Sequence, residues 1–250
     1  MPDSLVIIPT YKERENVERM LESVMALEQP FDVLIVDDNS PDGTADLVEA
    51  VQKRYPEGRI SLMRRAGKLG LGTAYLDGFR WGLKRPGYRY IFEMDCDFSH
   101  KPADLIRLRE MLERGEADVA VGSRYVRGGR VENWPVGRIA LSYGASLYVR
   151  CITWMPVKDP TAGFVGYKRE VLEKLDMSKI RFIGYAFQIE MKFAARQMGF
   201  KIGELPIVFT DRVEGSSKMS KSIVREAIRG VVQMRWRSFW GHSYARKPEK

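Results

Sequence analysis

Apolar residues along the first half of the chain alternate between two spacings, and the alternation predicts strands and helices in turn. Continuous apolar runs are typical of buried strands, and apolar residues three or four apart are typical of amphipathic helices. Strands are predicted over Leu5–Pro9, Val33–Val36, Arg59–Met63, Tyr88–Met94 and Ala117–Val121. Helices are predicted over Glu15–Leu27, Ala45–Val51, Ala103–Glu113, and from the glycine-rich residues 67–72 to Leu83. Such alternation favours right-handed βαβ units, and therefore an α/β fold with a mainly parallel sheet flanked by helices.

The chain contains no internal repeat, and no linker is visible before about Asp211. Its 250 residues, 44% hydrophobic and 30% charged, suffice for one large α/β domain or two small ones. From Asp211 onward the sequence becomes basic and helical. We therefore predict one domain over residues 1–210, followed by a polar loop and a basic amphipathic helix over residues 211–250.

Lys and Arg outnumber Asp and Glu by 41 to 33, and the net charge of +8 suits an anionic partner such as a nucleic acid, a nucleotide or a lipid surface. Two cysteines make no disulfide framework, which fits a reducing cytoplasm. The first residues enter a strand directly and lack the pattern of a signal peptide. The longest apolar candidate, Gly137 to Met155, is interrupted by Arg138 and Arg150, so no transmembrane segment is predicted.

Asp95 and Asp97 come directly after the predicted fourth strand, in the sequence YIFEMDCDFSHKP. Side chains two apart project from one face of an extended chain, so both carboxylates can bind one hard cation such as Mg²⁺ or Mn²⁺. The pair alone is weak evidence, because about one D-x-D would occur by chance in such a chain. Its position is better evidence, since ligands of open α/β sheets bind at the carboxyl ends of strands. The competing interpretation is a turn with two solvated aspartates.

The glycine-rich GKLGLG at residues 67–72 has neither the order of a dinucleotide-binding fingerprint nor that of a Walker phosphate loop. Other strand-end segments carry a clearer resemblance. The motifs are PTYKE at residues 9–13, VDDNS at residues 36–40, DCD at residues 95–97, VGSRY at residues 121–125 and DPTAGF at residues 159–164. Together they resemble glycosyltransferase family 2, whose members use nucleotide sugars and have the Rossmann-like GT-A fold.

The resemblance runs from Leu5 to about Ser220 and is closer to the branch that transfers mannose to dolichyl or polyprenyl phosphate. Motifs particular to that branch are W-x-x-x-R-x-x-x-S at residues 134–142, and Arg212 followed by GSSK at residues 215–218. The extra hydrophobic helices of the membrane-anchored members are not found, which indicates the compact class without transmembrane segments.

The resemblance implies a donor nucleotide-sugar site formed by strand-end and loop residues. These are Pro9, Tyr11, Glu13, Val36, Asp38, Asp95, Arg212 and Lys218. It also implies a metal site in which Asp95 faces the sugar and diphosphate and Asp97 ligates Mg²⁺ or Mn²⁺. Ser99 stands where some relatives carry Gln, and because a hydroxyl is a poorer ligand we expect it to act through water. For Asp38, a role as a cap or turn residue is the alternative.

An acceptor-phosphate site is implied for Arg124, Arg138 and Ser142, and Arg124 is also expected to be catalytic together with the two aspartates. Guanidinium groups bind phosphate oxygens bidentately, and a hydroxyl adds a donor. Trp134, Arg138 and Ser142 are four residues apart and are predicted to share a helix face. Isolated arginines more often lie on solvated helix faces, which is the alternative here.

The polar loop DRVEGSSKMS, residues 211–220, is expected to place Arg212 and Lys218 against the donor diphosphate. Its Gly and Ser residues would let the loop close over substrate, although a simple surface loop is the alternative. His100 is either a pocket residue or an exposed loop histidine, and the second is the commoner case.

The implied reaction is transfer of mannose from GDP-mannose to a polyprenyl or dolichyl phosphate, with inversion of the sugar. A lipid phosphate is already anionic, so its oxygen can attack without a general base, and positioning and charge stabilisation suffice. Alternatives are a UDP-glucose donor, or a glycan hydroxyl acceptor, for which a carboxylate base would be expected. The hypothesis of a non-enzymatic nucleic-acid-binding protein is supported only by the +8 charge. Carboxylates at the strand ends repel phosphate, so no nucleic-acid partner is expected.

From Ser222 to Gly241, apolar residues form one broad helical stripe flanked by arginines. The stripe consists of Val224, Ile228, Val231, Val232, Trp236, Phe239 and Trp240. Basic amphipathic helices with tryptophans lie in the interface of anionic membranes, whereas packing on the domain is the alternative. We therefore expect a cytoplasmic protein, peripherally associated with the inner face of the membrane that holds its lipid acceptor.

Overall fold

The computed structural model describes residues 2–211, 221–241 and 243–246, apart from the side chains of residue 185 and residues 221–227. The strands are β1 (Ser4–Thr10), β2 (Asp32–Asp37), β3 (Ile60–Arg64), β4 (Tyr90–Glu93), β5 (Val119–Ser123), β6 (Arg130–Glu132), β7 (Val165–Lys168), β8 (Ile202–Pro206) and β9 (Val208–Thr210). The helices are α1 (Arg14–Met25), α2 (Thr44–Gln52), α3 (Leu71–Leu83), α4 (Asp104–Glu113), α5 (Val136–Thr153), α6 (Arg169–Lys174), α7 (Tyr185–Gln197) and α8 (Lys221–Phe239). Each strand and helix predicted in the first half is present, with boundaries shifted by a few residues.

The main sheet has the strand order β3-β2-β1-β4-β7-β5-β8. Strand β7 runs antiparallel to β4 and β5, and the other neighbouring pairs are parallel. The prediction of a mainly parallel sheet in a single α/β domain is therefore confirmed. The chain moves outward from β1 to β3 and then returns to β4 on the other side of β1. Such a reversal leaves a crevice at the carboxyl ends of the strands, where ligands of this fold class bind.

The antiparallel direction of β7 brings one predicted motif to that crevice. The amino end of β7 lies beside the carboxyl ends of β4 and β5, because Glu93 and Val121 both pair with Val165. The DPTAGF segment, residues 159–164, leads directly into β7. It therefore meets the residues that follow β4 and β5 at the same edge of the sheet.

Two buried apolar layers cover the faces of the sheet. Helices α1, α2 and α4 pack on one face, where alternate residues of β1, such as Val6 and Ile8, point. Helices α3, α5, α6, α7 and α8 contribute to the layer on the other face, which receives Leu5 and Ile7. The two-residue alternation along β1 thus supplies both layers, as expected for a strand buried on each side.

Two local details differ from the sequence prediction. Strand β4 ends at Glu93, so the pair Asp95 and Asp97 lies in the turn beyond the strand. Trp134 precedes helix α5, whose N-cap is Pro135 in an extended conformation with ψ of 142°. A proline disfavours helical backbone in the residue before it, so the shared helix face is limited to Arg138 and Ser142.

Helix α8 and the residues after it contribute to the core of the domain. Val231 and Met234 are buried, and a Cβ placed on Gly230 would lie 2.6 Å from the Phe182 ring, so a glycine allows the close approach of the helix. Farther along, the Tyr244 hydroxyl donates to Glu190 Oε1 at 3.0 Å. Within the described part of the predicted 211–250 segment, one face of helix α8 and Tyr244 are therefore packed on the domain.

No helix in the described ranges is both long enough and apolar enough to cross a lipid bilayer.

Candidate active site

Hydrogen bonds to the side chain of Asp37, the last residue of β2, join the ends of β1 and β2. Pro9 pairs with Val36 in the sheet register, which places these two predicted donor-site residues side by side. The Asp37 carboxylate accepts from Thr10 Oγ1 at 2.8 Å and from Ser40 Oγ at 2.6 Å. Asp37 was missed as an organising residue, although its place at the first Asp of the VDDNS motif is the signal that identifies it.

Asp38 forms a buried ion pair with Arg65. Arg65 Nη1 lies 2.6 Å from Asp38 Oδ1, and Nη2 donates to Thr73 Oγ1 at 2.6 Å. Helix α2 begins after Gly43 without a side-chain cap, so Asp38 is not a helix-capping residue. Arg65 was not predicted; the basic residues that follow β3, next to the acidic end of β2, are the signal for it.

Tyr11 and Glu13 follow β1 and face two other segments. Lys68, from the glycine-rich residues 67–72, lies with Nζ 4.5 Å from the centre of the Tyr11 ring. The Glu13 amide donates to Thr44 Oγ1 at 3.1 Å, and the Glu13 carboxylate accepts from Asn16 at 3.0 Å. The glycine-rich segment, which resembles no phosphate loop, therefore lies beside the predicted donor nucleotide-sugar site.

The turn after β4 holds the predicted metal ligands in different environments. Asp95 is half-buried and accepts from the Tyr75 hydroxyl at 3.4 Å. Asp97 is buried, and its Oδ1 accepts from the Ser99 amide at 3.1 Å and from Ser99 Oγ at 2.5 Å. Phe98, between Asp97 and Ser99, has φ of 57°, a left-handed conformation that bends the chain. The two carboxylates thus share a turn, and Ser99 orients the second one.

The buried thiol between the aspartates shows how much negative charge gathers here. Burial raises the pKa of Cys96 well above its usual value, and the charges of Glu13, Asp97 and Asp95 raise it further. The carboxylates that follow β1 and β4 are therefore close enough to affect the same thiol.

This donor set fits a hard divalent cation that takes its remaining ligands from a phosphate group. Two carboxylates and a hydroxyl supply only oxygen atoms, as Mg²⁺ and Mn²⁺ prefer. Within the described residues, no group of three or more His, Cys, Asp or Glu side chains could by itself hold a metal ion. A substrate would have to complete the coordination.

Arg124, directly after β5, is held by the DPTAGF segment. Its Nε and Nη2 donate to the two oxygens of Asp159 at 2.7 Å each, and Nη2 also donates to Thr161 at 2.8 Å. Asp159 is fully buried. Burial by itself raises the pKa of Asp159, but the hydrogen bonds and charge of Arg124 outweigh it and hold the pKa below the ordinary value.

Arg138 and Ser142 lie next to Arg124 across an aromatic cluster. The Arg138 guanidinium lies 4.0 Å from the centre of the Trp134 ring, and that of Arg124 lies 5.7 Å from it. Arg138 Nη1 donates to Asp211 at 2.9 Å. Ser142 Oγ accepts from the hydroxyl of Tyr125 at 2.7 Å. The three predicted acceptor residues are therefore brought together, with Arg138 more exposed than Arg124.

His100 is buried, so the expectation of an exposed loop histidine is wrong. Its ring stacks on Phe164 with centroids 5.0 Å apart. Burial lowers the pKa of His100 to about 4, against the opposing charge of Asp97. A neutral aromatic ring therefore packs beneath the turn that carries Asp97.

Glu93 and Lys192 form a further pair of buried, oppositely charged groups that sequence reasoning missed. Both side chains are fully buried. Burial raises the pKa of Glu93 to about 8 and lowers that of Lys192 to about 8, while each charge favours the ionised form of the other. The signal in the sequence was a lone lysine within the apolar helical run IEMKFAA.

Arg212 and Lys218, predicted to bind the donor diphosphate, lie outside the described residues.

Comparison with known proteins identifies a family. The profile of Glycosyl transferase family 2 matches residues 5–176. The chain is 47% identical over 230 residues to a polyprenol monophosphomannose synthase of Mycolicibacterium smegmatis, covering 92% of this chain and 86% of that protein. It is 43% identical over 232 residues to an undecaprenyl-phosphate mannosyltransferase of Micrococcus luteus, covering 93% of each.

Among solved structures, the fold resembles that of the mannosyltransferase PcManGT from Pyrobaculum calidifontis, determined in complex with GDP-Man and Mn²⁺. The TM-score is 0.60 at 18% sequence identity, and the match covers 98% of this chain and 66% of that one. The likeness confirms the GT-A type of α/β fold.

The two ion pairs at this edge are expected to differ in their contribution to stability. Asp159→Asn should lower the free energy of unfolding by about 3 kcal/mol, because Arg124 would stay buried without its counter-charge. Asp211→Asn, which breaks the half-exposed pair with Arg138, should cost less than about 1 kcal/mol. Urea denaturation at neutral pH measures both, and equal losses would contradict the assignment.

Acid titration provides a check on the same pair. Because the folded pKa of Asp159 is lowered, its stabilisation is complete above the unfolded pKa and is lost as pH falls through the folded value. The stability difference between wild type and Asp159→Asn should therefore be constant above about pH 5 and shrink in stronger acid.

Proposed function

The chain belongs to glycosyltransferase family 2, and we propose that it transfers mannose from GDP-mannose to the phosphate of a polyprenyl lipid. The main support for this proposal is the similarity to two polyprenyl-phosphate mannosyltransferases over more than nine-tenths of the chain. Clustering of the strand-end carboxylates and of Arg124, Arg138 and Ser142 at one edge of the sheet supports the same reaction. GDP as the nucleotide is favoured by the GDP-Man complex of PcManGT.

The donor nucleotide would bind where β1 and β2 end. Pro9 and Val36, adjacent in the sheet register, would form the floor of the pocket, with Tyr11 and Glu13 beside them. Asp38 would contact the nucleoside from the position in which Arg65 holds it. Arg212 and Lys218 would add positive charge against the diphosphate.

Asp95 and Asp97 would hold the divalent cation, Mg²⁺ or Mn²⁺, with Ser99 supporting Asp97. Such an ion supplies positive charge to the leaving diphosphate. The complex of PcManGT with Mn²⁺ supports a divalent metal in this fold. Asp95, which lies next to Gly163 and the Tyr75 hydroxyl, would also face the mannose.

The acceptor phosphate would bind between Arg124, Arg138 and Ser142. Asp159 already engages two donors of Arg124, which fixes the plane of that guanidinium, whereas Arg138 is exposed enough to approach a ligand. The phosphate oxygen is an anion at neutral pH and attacks the anomeric carbon directly. One displacement inverts the sugar, so an α-linked donor gives a β-mannosyl phosphate, and catalysis consists of orientation and charge stabilisation.

The protein would meet the membrane through the outer face of α8. Val231 and Met234 face the core, whereas five apolar side chains of the same segment are exposed. These are Ile228, Val232, Trp236, Phe239 and Trp240. The exposed Arg229 accompanies them, and this combination suits the interface of an anionic bilayer. Peripheral attachment at the cytoplasmic face would then bring the site to a lipid that cannot leave the bilayer.

Metal-dependent transfer from GDP-mannose is the first expected outcome. The purified protein, given polyprenyl phosphate and labelled nucleotide sugars with Mg²⁺ or Mn²⁺, should form a β-mannosyl lipid, and EDTA should stop it. Asp97→Asn should abolish transfer, since one of two carboxylate ligands is lost, while Asp46→Asn, an exposed carboxylate, should not. Transfer from UDP-glucose instead would identify a different family 2 donor, and full activity in EDTA would overturn the metal assignment.

Arg138→Ala is expected to impair the acceptor rather than the donor. Loss of one charge-assisted phosphate contact should cost about 2–3 kcal/mol, seen as a higher KM for the lipid phosphate or a lower kcat. Asp211→Asn frees Arg138 of its protein partner without removing it and serves as the matched control. Calorimetry should find GDP-mannose binding unchanged in Arg138→Ala; equal weakening of donor and acceptor would reverse the assignment.

Binding to anionic vesicles should depend on the outer face of α8. Truncation after Lys221 would remove core residues such as Val231 and Tyr244, so point substitutions are the cleaner test. Trp236→Ala with Trp240→Ala should weaken sedimentation at least about tenfold, given roughly 2 kcal/mol per buried apolar side chain. Arg229→Glu should weaken binding more than Arg114→Glu, a control at the residue that follows α4. Unchanged binding in both helix variants would exclude this face as the contact.

A further inference from the structure

Lys192 is a fully buried lysine on α7 to which the proposed mechanism gives no role. Its ammonium group donates to the Ala162 carbonyl at 2.7 Å, to the Gln188 carbonyl at 3.1 Å and to Gln188 Oε1 at 3.5 Å. An ammonium has three hydrogens to donate, and these three contacts account for them.

The nearby carboxylate of Glu93 is not a hydrogen-bond partner of this lysine. The Glu93 carboxylate instead interacts with the side chains of Gln188 and Tyr167, which lower its pKa against the effect of burial. The charges of Glu93 and Lys192 nevertheless influence each other. Glu93 thus offsets the cost of burying a cation, whereas the directional hydrogen bonds of the cation hold Ala162.

Ala162 lies within the DPTAGF segment between two groups of the site. On one side, its amide donates to the carbonyl of Asp159 at 3.3 Å, and the Asp159 side chain clamps Arg124. On the other side is Gly163, where a Cβ would lie 3.9 Å from Asp95 Oδ2. The bond from Lys192 to the Ala162 carbonyl therefore holds the stretch of chain between Asp159, the partner of Arg124, and Gly163, the neighbour of Asp95.

We propose that Lys192 is a positioning residue for sugar transfer, which fixes the 159–163 segment so that Arg124 and Asp95 hold their distance across the reaction centre. The inference rests on the proposed function, because it assigns these two residues to acceptor and donor. Lys192 itself touches no substrate and acts through the Ala162 carbonyl. Since a displacement of about 1 Å in a reacting pair can cost about 100-fold in rate, its loss should appear in turnover.

The test compares Lys192→Met, which keeps the length of the side chain, with the double variant Lys192→Met/Glu93→Gln. The single variant leaves a buried carboxylate unpaired and is expected to be less stable; the double variant removes that charge and should recover thermal stability. Both should lose about 100-fold in kcat at saturating substrates, because neither restores the bond to Ala162. Glu93→Gln alone gives the baseline, and Lys168→Met, which breaks a lysine–aspartate pair at the opposite edge of the sheet, is the matched control.

Hydrogen–deuterium exchange provides a readout that does not need activity. Peptides covering residues 158–164 should exchange faster in both Lys192 variants than in wild type, with the Lys168 variant unchanged. If the stable double variant regains the turnover of Glu93→Gln, or if the 158–164 peptides exchange at the wild-type rate, Lys192 is only a counter-charge and the proposal is wrong. Absence of mannosyl transfer in the wild type would instead refute the proposed function, whereas the exchange result would still report on the role of Lys192 in the segment.

Discussion

Carboxylates gathered at one edge of a sheet repel one another, and the way this protein compensates that repulsion determines the arrangement of its candidate site. Asp38 pairs with Arg65, Asp159 with Arg124, and buried Glu93 with the charge of Lys192. Each of these cations comes from a different part of the chain. Asp95 and Asp97 belong to the same edge, in a turn whose acidity fits the recruitment of a divalent cation with a diphosphate. Under the proposed function, binding of a divalent cation with the donor would add positive charge at this acidic edge.

Arginines of this edge also lie between the proposed acceptor site and the proposed donor site. Arg124 has its guanidinium plane fixed by Asp159 in the segment that enters β7, and the antiparallel direction of β7 places that segment next to Asp95. Arg138 stacks on Trp134 from the start of α5. In the proposed reaction, an ion pair, a strand direction and an aromatic stack would set the separation between the acceptor phosphate and the sugar, as suits a reaction that depends on orientation and needs no general base.

Backbone strain is found at the same edge. Lys12, Asn39 and Phe98 have φ near 60°, and each follows the end of a different parallel strand. A non-glycine residue in this region costs of order 1 kcal/mol and persists only where surrounding bonds enforce it. At Asn39 the enforcing bonds come from Asp37, and at Phe98 from Asp97 and Ser99. Aspartates at the strand ends thus stabilise the sharp turns that carry the ligand-binding side chains.

The sequence by itself determined the order of strands and helices in the first half and the polar motifs at the strand ends, because apolar spacing and polar strand ends are local properties. It also indicated the amphipathic nature of the last helix, whereas the acceptor residues Arg124, Arg138 and Ser142 are a prediction from the family resemblance. Only the tertiary structure decided that β7 runs antiparallel, that Arg65 and Lys192 compensate Asp38 and Glu93, and that Trp134 stands outside α5. It likewise divided the stripe of α8 into a buried and an exposed face. These features depend on which segments meet in space: a lone basic residue carries no local sign of its partner, and a helical stripe does not reveal how much of it the domain will cover.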